Sequence, residues 1–329
     1  MGSKSRMQGK VSPERSACDR VYVGVDVCKE WLDVYLHPVG LSLRVANTPT
    51  GLKRLKRELA RHAIACVAVE ATGKFHRLTQ RHLHAAGIPV AVVNPLRSRL
   101  FCEASGQLAK TDAIDARLLA VMAESLNLRV TPPTPEIVED LQELVRARAA
   151  AVADRTALIN QRAAARLGAV KAELGRRIRA LEGSIARLEQ EIEATIARDL
   201  ALARRFEILL SIPGVGPVAA AGLLADLAEM GTRSGKEIAS LSGLAPVACD
   251  SGEAKGQRHI RGGRAHVRTA IYFAALSAAR YNPHLARVYR RLLAAGKKPK
   301  VALTAVMRKL VVLANALLRD NRIWQANPA

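Results

Sequence analysis

A proline-rich run, TPPTP at residues 131–135, divides the chain into two parts with different hydrophobic periodicity. Before the run, short alternating segments are separated by amphipathic helical segments, which predicts a mixed α/β domain. After it, residues 136–200 contain few glycines and no proline, which predicts long helices. Because proline fixes the backbone and cannot continue a helix, the run predicts a linker between separately folded parts.

The first part begins with three alternating segments that predict an antiparallel meander. The strongest is VYVGVDV (21–27), in which the valines lie on one face and Gly24 and Asp26 on the other. Later strands are expected to be joined by helical crossovers, as parallel pairing requires. The predicted order is βββαβαβα, with strands at 21–27, 31–36, 41–46, 65–70 and 88–93, and helices at 50–62, 74–87 and from Asp112 to about Leu126.

The second part is predicted to be mostly helical. In residues 136–200, five apolar side chains follow a 3-4-3-4 spacing that is typical of a coiled-coil seam. A hairpin or dimer and an amphipathic helix packed within one chain both explain this seam, and the two stay open. The seam residues are Ile178, Leu181, Ile185, Leu188 and Ile192.

A segment resembling a helix-hairpin-helix follows at 209–227, LLSIPGVGPVAAAGLLADL. Its Gly214 and Gly216 would expose backbone N–H groups to a phosphate, or would simply form a tight interhelical turn. After irregular residues 240–263, three helices are expected to start near Gly263, Pro283 and Pro299. The predicted domains are a disordered tail (1–18), an α/β domain (19–130), a linker with coiled-coil helices (131–205) and a mostly α domain (206–329).

The charge of the chain indicates a polyanionic partner. Lys and Arg number 51 against 29 Asp and Glu, a formal net charge of +22, which nucleic acid matches most simply. Residues 251–300 contain twelve Lys or Arg and one acidic residue, Glu253. An anionic membrane is the competing partner, but the apolar tail 301–318 is interrupted by Arg308 and Lys309 and is expected to be too short and too charged to span a bilayer.

Cysteine usage and the amino terminus indicate where the protein works. The five cysteines are scattered without a C-x-x-C pair, which argues against a zinc ribbon or a disulfide framework and favours a reducing compartment. No apolar segment of a signal peptide is visible near the start. We therefore expect a cytoplasmic, nucleoid-associated protein.

Four carboxylates are candidates for a metal site. Asp26 lies in the middle of the first predicted strand, Glu70 ends the fourth, and Asp112 and Asp115 open the last helix of the domain. If strand ends and the helix start meet at one edge, four repelling carboxylates need a cation, and oxygen ligands suit Mg²⁺ or Mn²⁺. Taken alone, Asp112 could be an N-cap with Asp115 its partner, and Glu70 a turn residue.

A serine in the basic segment is a candidate nucleophile. Ser251 is followed by glycines that let the backbone approach a phosphate closely. Its hydroxyl needs activation, for which His259 and His266 are candidates by proximity only, and a turn-capping serine in a DNA-binding loop is the alternative. The basic side chains expected to contact nucleic acid are Lys110, Lys255, Arg258, Arg261, Arg264 and Arg268.

Three of these stretches resemble the acidic motifs of the DEDD transposases of the insertion-sequence-110 family. They are GVDVCKEWLDV (24–34), VEATGKF (69–75) and AKTDAIDARLLA (109–120). The resemblance implies an α/β, RNase H-like (RuvC-like) domain at the amino end, then a long helical coiled-coil segment and a mostly α transposase domain. It gives Asp26, Glu70, Asp112 and Asp115 the metal-binding roles. Cys28 stands where the family usually has Ser, and Phe75 where it often has Tyr.

The same resemblance extends to the basic segment, where the family has an SG…G…I…G…R signature with a nucleophilic serine. The matching positions here are Ser251, Gly252, Gly256, Ile260, Gly263 and Arg268. Ser242 fits the segment that precedes the nucleophile. The resemblance therefore implies that Ser251 forms a covalent phosphoserine–DNA intermediate.

The implied protein is a metal-dependent transposase, a site-specific recombinase of an insertion sequence. Its implied partners are double-stranded DNA (the element ends and the target), a non-coding bridge RNA, and further copies of the chain, a dimer to a tetramer with composite active sites. The alternative is a RuvC-like metal-dependent resolvase or nuclease in which Ser251 is not catalytic. A nucleic-acid-binding protein without chemistry and a structural coiled-coil protein also stay open.

Overall fold

The computed structural model of the chain describes residues 20–71, 73–106, 112–248, 256 and 258–326, and only the backbone of Asp112 and Ala113. It divides the chain into two compact units, Met1–Pro133 and Thr134–Ala329. The predicted tail 1–18 lies outside the described residues. The division falls inside the proline-rich run, where the backbone cannot continue a regular element.

The first unit is a five-stranded mixed sheet with helices on both faces. The strand order is β3-β2-β1-β4-β5; β1 to β3 are antiparallel neighbours, while β4 runs parallel to β1 and β5 parallel to β4. Its elements are β1 Arg20–Val27, β2 Trp31–His37, β3 Leu41–Ala46, α1 Pro49–Leu59, β4 Ala63–Glu70, α2 His76–Ala85, β5 Val90–Val93, α3 Pro95–Ala104 and α4 Asp112–Ser125.

Strict alternation along β1 separates the two faces of this sheet. Val23 and Val25 are fully buried against a cluster that includes Leu52 and Leu55 of α1. The opposite face, which carries Gly24 and Asp26, is covered by α4. The predicted meander, crossovers and strand order along the chain are thus found in the structure, because alternation reports directly which side chains are buried.

One helix of this unit, α3, was not predicted from the sequence. Its apolar residues Leu96 and Leu100 are more than half exposed, so it lacks the apolar stripe that identifies most helices. Its start was readable from another signal. The Asn94 side chain accepts a hydrogen bond from the Leu96 amide, and Pro95 occupies the first helical position.

The second unit is helical, with one short two-stranded ladder of two residues per strand. Its elements are α5 Glu136–Ala164, α6 Gly168–Ala197, α7 Leu200–Leu210, α8 Pro217–Asp226, α9 Gly235–Leu241, β6 Pro246–Val247, β7 His259–Ile260, α10 Ala265–Tyr281, α11 Pro283–Ala294 and α12 Pro299–Arg319. The region expected to be irregular, 240–263, contains the end of α9 and this ladder, neither of which was predicted.

Helices α5 and α6 form a long hairpin within the chain. Ile178 of the predicted seam lies in a buried cluster with Leu158 of α5, and Ile192 lies in one with Leu141. Arg148 of α5 and Glu189 of α6 add an ion pair of 2.6 Å across the hairpin. The seam is therefore covered by the same chain, and the two helices belong to the second unit instead of forming a segment of their own.

Helix α12 lies in the core of the second unit. By length and composition it could cross a membrane, contrary to the expectation that the tail is too short and too charged, but half of its apolar window is buried inside the unit. Val306 and Ala314 are fully buried within the main cluster. Burial of this kind is what a core helix shows, since its apolar surface already has a partner.

The predicted helix-hairpin-helix corresponds to α7, a turn and α8. Gly214 has a φ of +101°, and a Cβ added there would lie 2.5 Å from the Ala278 nitrogen on α10. Gly214 is therefore required for close packing between this turn and α10. Gly216 is exposed at the N-cap of α8, so packing does not block the predicted backbone contact with a phosphate there.

Candidate active site

Asp26 and Glu70 lie at neighbouring strand ends. The parallel ladder between β1 and β4 pairs Val25 with Val69, so the next residues, Asp26 and Glu70, are adjacent at the carboxyl ends of their strands. Asp26 is one residue from the end of β1, not in its middle as predicted. Both side chains are partly exposed. Two carboxylates next to each other at a sheet edge are an arrangement that a bound cation stabilises.

Gly24 brings the start of α4 to this edge. A Cβ at Gly24 would overlap the Ala116 carbonyl oxygen and would lie 2.5 Å from the Ala120 nitrogen. Glycine therefore lets α4 pack directly on the backbone of β1. Asp115 immediately precedes Ala116, and Asp26 lies two residues beyond Gly24 on the same strand face. The close approach of α4 therefore fixes the packing of this helix on the strand that carries Asp26.

The start of α4 is relevant to the alternative in which Asp112 caps the helix and Asp115 is its partner. Helix α4 begins at Asp112, which places Asp112 at the first helical position and Asp115 one turn further along. The capping alternative depends on the Asp112 side chain and is therefore not tested by the described residues. The Asp112 side chain, Thr111 and Lys110 lie outside the described residues.

Glu70 is held by a helix that the sequence did not predict. The Ser98 hydroxyl on α3 donates a hydrogen bond of 2.6 Å to Glu70 Oε2, and Ser98 is itself buried. A short bond to a carboxylate is stronger than one between neutral groups. Ser98, on α3, therefore fixes the orientation of the Glu70 carboxylate at the end of β4.

A second aspartate lies directly across from Asp26. The antiparallel ladder pairs Asp26 with Asp33 and Asp33 with Arg44, so three charged side chains form a row across β1, β2 and β3. Asp33 accepts two hydrogen bonds from Arg44, of 2.8 and 2.9 Å. Like charges opposite each other in a sheet are destabilising. The Arg44 guanidinium compensates the negative charge of Asp33. A groove of about 210 Å³ beside this row is lined by Asp33, Ser42, Arg44 and Ala116.

The loops after Asp26 and Glu70 are joined by Asn47. Its Nδ2 donates to the carbonyl oxygens of Cys28, at 3.0 Å, and Phe75, at 3.2 Å. The Cys28 Sγ accepts from the Trp31 amide at 3.1 Å, the turn-capping role that a serine hydroxyl would also perform. At Cys28 the sulfur accepts the bond that a serine oxygen would accept, and at Phe75 the backbone carbonyl accepts from Asn47 without use of the ring.

The donor set fits a hard divalent ion in chemistry, since it consists of carboxylate oxygens alone. Within the described part of the chain, however, His, Cys, Asp and Glu side chains form no group of three or more that could hold a metal. Asp26 and Glu70 lie near the ends of their strands, and Asp115 lies in the first turn of α4. The Asp112 side chain lies outside the described residues. The metal site of four carboxylates remains a prediction.

The predicted nucleophile, Ser251, lies outside the described residues, as does Lys255. The other serine of the segment, Ser242, is fully buried and donates its hydroxyl to the Ile238 carbonyl oxygen at 2.8 Å. A hydroxyl that is buried and already engaged cannot reach a phosphate, so Ser242 is excluded as an alternative nucleophile. Among the candidate bases, His266 lies 3.4 Å from Asp226.

The basic side chains near this segment differ in their surroundings. Arg258 and Arg261 are exposed, whereas Arg268 donates to the Gly262 carbonyl oxygen at 2.8 Å. Arg264 forms two hydrogen bonds of 2.7 and 2.6 Å with Glu229 and one with the Asp226 carbonyl. Its charge is therefore already compensated, and a structural role competes with the predicted contact to nucleic acid.

Partial burial and ion pairing have opposite effects on the pKa values of Glu229 and Arg264. Burial alone raises the pKa of Glu229, but the hydrogen bonds and charge of Arg264 outweigh it and lower that pKa below its ordinary value. The bond to Glu229 likewise raises the pKa of Arg264 against the effect of burial. Both groups are therefore charged at neutral pH, and the pair anchors the start of α10 to the turn after α8.

Two family models match the chain, and both describe transposases. The DEDD transposase model of the IS110 type matches residues 23–165, and the model described as "Transposase IS116/IS110/IS902 family" matches residues 206–290. The chain belongs to the insertion-sequence-110 family of transposases. It is therefore a DNA transposase, an enzyme class that cleaves DNA and transfers strands.

Relatives of this transposase have related descriptions. A pilin gene-inverting protein of Moraxella bovis is 27% identical over 316 residues, which cover 92% of this chain and 97% of that protein. A probable family 20 transposase of Pseudomonas aeruginosa is 27% identical and covers 68% of this chain and 73% of its own length.

Among solved structures, T. thermophilus RuvC in complex with a Holliday junction substrate aligns with 34% of this transposase and 99% of that chain, at 15% identity and a TM-score of 0.28. That TM-score is too low for the similarity to support a conclusion.

Proposed function

We propose that this transposase is a metal-dependent recombinase that moves an insertion sequence through a covalent phosphoserine–DNA intermediate. Asp26, Glu70, Asp112 and Asp115 would hold Mg²⁺ or Mn²⁺ in an RNase H-like domain, and Ser251 would be the nucleophile. The observation that supports this most is the placement of Asp26 and Glu70 at adjacent ends of parallel strands, with α4 packed on Gly24 beside them.

The sheet supports the RNase H-like assignment of the first unit. Three antiparallel strands are followed by two parallel strands reached through helical crossovers, and Asp26 and Glu70 lie at neighbouring carboxyl ends of β1 and β4. In sheets with parallel strands, sites form outside the carboxyl ends of the strands, where loops and helix starts meet. This position is suited to binding one stretch of a DNA backbone.

The proposed reaction conserves the phosphodiester bond. The Ser251 oxygen attacks phosphorus and loses its proton, while the bond from phosphorus to the departing deoxyribose oxygen breaks and that oxygen gains a proton. A hydroxyl of the partner strand then attacks the phosphoserine, which restores Ser251 and joins the new strands without ATP. Bound divalent ions supply stabilisation of the charge that develops on the attacking and leaving oxygens.

The partners proposed with this reaction are element-end and target DNA, a bridge RNA and further copies of the chain. The net charge of +22 supports a polyanionic partner without distinguishing DNA from RNA. Composite sites, in which carboxylates and serine come from different protomers, belong to the same proposal and account for how two distant sequence segments act on one phosphate.

Denaturing electrophoresis tests the proposal. Labelled recombination-site DNA is incubated with the full chain, RNA transcribed from the element's flank and Mg²⁺, using wild type, Ser251→Ala and Asp26→Asn. We expect a protein–DNA adduct with the wild type alone, and its loss when the RNA is left out. Cleavage without an adduct by Ser251→Ala would favour the alternative, a RuvC-like nuclease, and an adduct formed by Ser251→Ala would exclude the serine.

A further inference from the structure

The exposed face of α10 carries an aromatic cluster that packing within the unit does not use. Tyr272 is 38% exposed, Phe273 65% and Leu276 42%, although aromatic residues make up only 3% of the chain. The opposite face, which includes Ile271 and Ala275, is buried against the unit's core. An exposed apolar cluster of this kind, on a helix that is otherwise well packed, indicates a binding surface.

The two rings are ordered by each other. Tyr272 and Phe273 form an edge-to-face pair with ring centroids 5.5 Å apart and planes at 84°. Such a pair restricts both side chains, so a ligand that stacks on them loses less entropy in ordering them. With Thr269 and Arg280 the cluster forms one stripe along α10, since residues three, four or seven apart share a helix face. From Thr269 to Arg280 the stripe spans roughly 16 Å.

The charge of the segment that contains the stripe indicates its partner. From Arg258 to Lys300 the chain contains eleven Lys or Arg and neither Asp nor Glu. Nine of these cations are exposed, and within the part of the chain that the structure describes none of the nine has an ion-pair partner. They are Arg258, Arg261, Arg280, Arg287, Arg290, Arg291, Lys297, Lys298 and Lys300.

A second copy of the chain is a poor occupant for this face. A symmetric contact through α10 would bring two strongly basic segments together, and like charges across an interface are unfavourable. A nucleic-acid strand supplies both complements, because its phosphates pair with the cations and its bases stack on the rings. Paired bases in a duplex hide their π-faces, so the partner must present unpaired bases.

We propose that the α10 stripe, Thr269, Tyr272, Phe273, Leu276 and Arg280, is a stacking surface for the unpaired bases of a nucleic-acid strand. This inference rests on the proposed function for one point, the kind of partner, because strand exchange exposes unpaired bases. The surface itself requires neither the metal site nor Ser251. Phe273, the more exposed of the two rings in the stripe, stacks on a base, while Arg280 at the end of the stripe contacts the backbone.

Binding of the full chain to a short single-stranded oligonucleotide containing 2-aminopurine tests this inference. The measurement uses EDTA and one fixed salt concentration, so that cleavage chemistry does not contribute. We expect Phe273→Ala to weaken single-strand binding by at least about fivefold, and to reduce the quenching of 2-aminopurine. Binding of the matched duplex should change by less than about twofold.

Two further variants of Phe273 separate base stacking from simple apolar contact. Phe273→Leu keeps an apolar side chain without a π-face and should lose binding as Phe273→Ala does, whereas Phe273→Trp should retain it. Tyr281→Ala removes a ring that is 70% exposed on the same helix but lies off the stripe, and it should bind as the wild type does.

Three results would overturn the inference. The first is wild-type single-strand binding by both Phe273→Ala and Phe273→Leu. The second is an equal loss for single strand and duplex. The third is a smaller oligomer of Phe273→Ala in light scattering with unchanged nucleic-acid binding, which would assign the stripe to contacts between protein copies. Because Ser251→Ala tests the chemistry separately, failure of one proposal is distinguishable from failure of the other.

Discussion

At the scale of single residues, a glycine and not a charged group controls the geometry of the candidate active site. Gly24 has no function of its own, yet it determines how closely α4 packs on β1. Asp26 follows Gly24 on the same face of β1, and Asp115 directly precedes Ala116, the α4 residue whose carbonyl oxygen faces Gly24. Substitutions here therefore test the arrangement without removing a carboxylate.

We expect Gly24→Ala to destabilise the first unit by about 1–3 kcal/mol, because the added methyl group forces α4 away from β1. Formation of the covalent DNA product should fall on the order of a hundredfold, since small displacements of reacting groups are costly. Urea denaturation and product electrophoresis measure the two effects.

Gly168→Ala is the matched control, because a Cβ at Gly168 meets no atom within 4 Å. A Gly24→Ala protein with wild-type stability and wild-type product formation would show that α4 does not position the site.

The partly buried ion pair between Glu229 and Arg264 at the start of α10 predicts a pH-dependent difference in stability. Glu229 has a lowered pKa in the folded chain, so its contribution is fully present above its ordinary value of 4.5 and is lost as the pH falls through the folded value. We expect Glu229→Gln to have a lower urea midpoint than the wild type at pH 7, with the difference shrinking below pH 4.5. A difference that stays constant across this range would mean that the charge of Glu229 is not involved.

At the scale of elements, the α5–α6 hairpin accounts for a seam that the sequence left open between a coiled coil, as a hairpin or a dimer, and an amphipathic helix packed within one chain. The spacing of its isoleucines is the same whether the partner helix belongs to this chain or to another copy. The buried contacts with α5 show that the seam is used within the chain. Any assembly of several copies therefore needs other surfaces or the remaining sides of these helices.

We expect Ile185→Ala to lower the free energy of unfolding by about 2–5 kcal/mol and to leave the oligomeric mass unchanged. Ile185 is 7% exposed and lies midway along the seam, whereas Val170 on the same helix is 44% exposed. Val170→Ala should thus unfold close to the wild type. Light scattering that shows Ile185→Ala dissociating at unchanged unfolding free energy would return the seam to an intermolecular role.

The elements also show what could be predicted from sequence. The strands with Val, Ile and Leu alternation were identified within one or two residues, because burial on one face determines their pattern. Helix α3 carries its apolar residues outward, and α9 is short, so neither has a clear stripe. Local signals existed for both: the Asn94–Pro95 start, and the capping box of Ser234 and Glu237.

The contacts of the candidate site were also predictable only in part. Asp26 and Glu70 could be expected to meet, since strand ends of a parallel pair share an edge. The partners Asp33–Arg44 and Glu229–Arg264 could not, because they depend on strand register and on packing between helices distant in sequence. Ser98 was not predicted because it lies on α3, a helix without an apolar stripe.

At the scale of the whole molecule, unopposed positive charge is concentrated in one segment of the second unit, residues 258–300, and this predicts salt-dependent binding. Exposed cations that neutralise phosphates release counterions, so affinity falls with the logarithm of salt concentration. Arg261 is exposed, while Arg176 on α6 is paired with Glu173.

We expect Arg261→Ala to reduce the slope of log affinity against log salt by about one. Arg176→Ala should leave that slope unchanged. Titrations of labelled duplex at several salt concentrations measure both slopes, and equal slopes for Arg261→Ala and the wild type would remove Arg261 from the contact surface.

The hydrogen bond from Ser98 to Glu70 has a consequence for ion selection. With Oε2 engaged at 2.6 Å, chelation of one ion by both Glu70 oxygens would compete with that bond. In the proposed metal site, Glu70 would therefore offer mainly one oxygen, Oε1, which would suit a small ion such as Mg²⁺ more than a large ion that accepts bidentate carboxylates. A buried serine hydroxyl on a neighbouring helix would in this way discriminate against Ca²⁺.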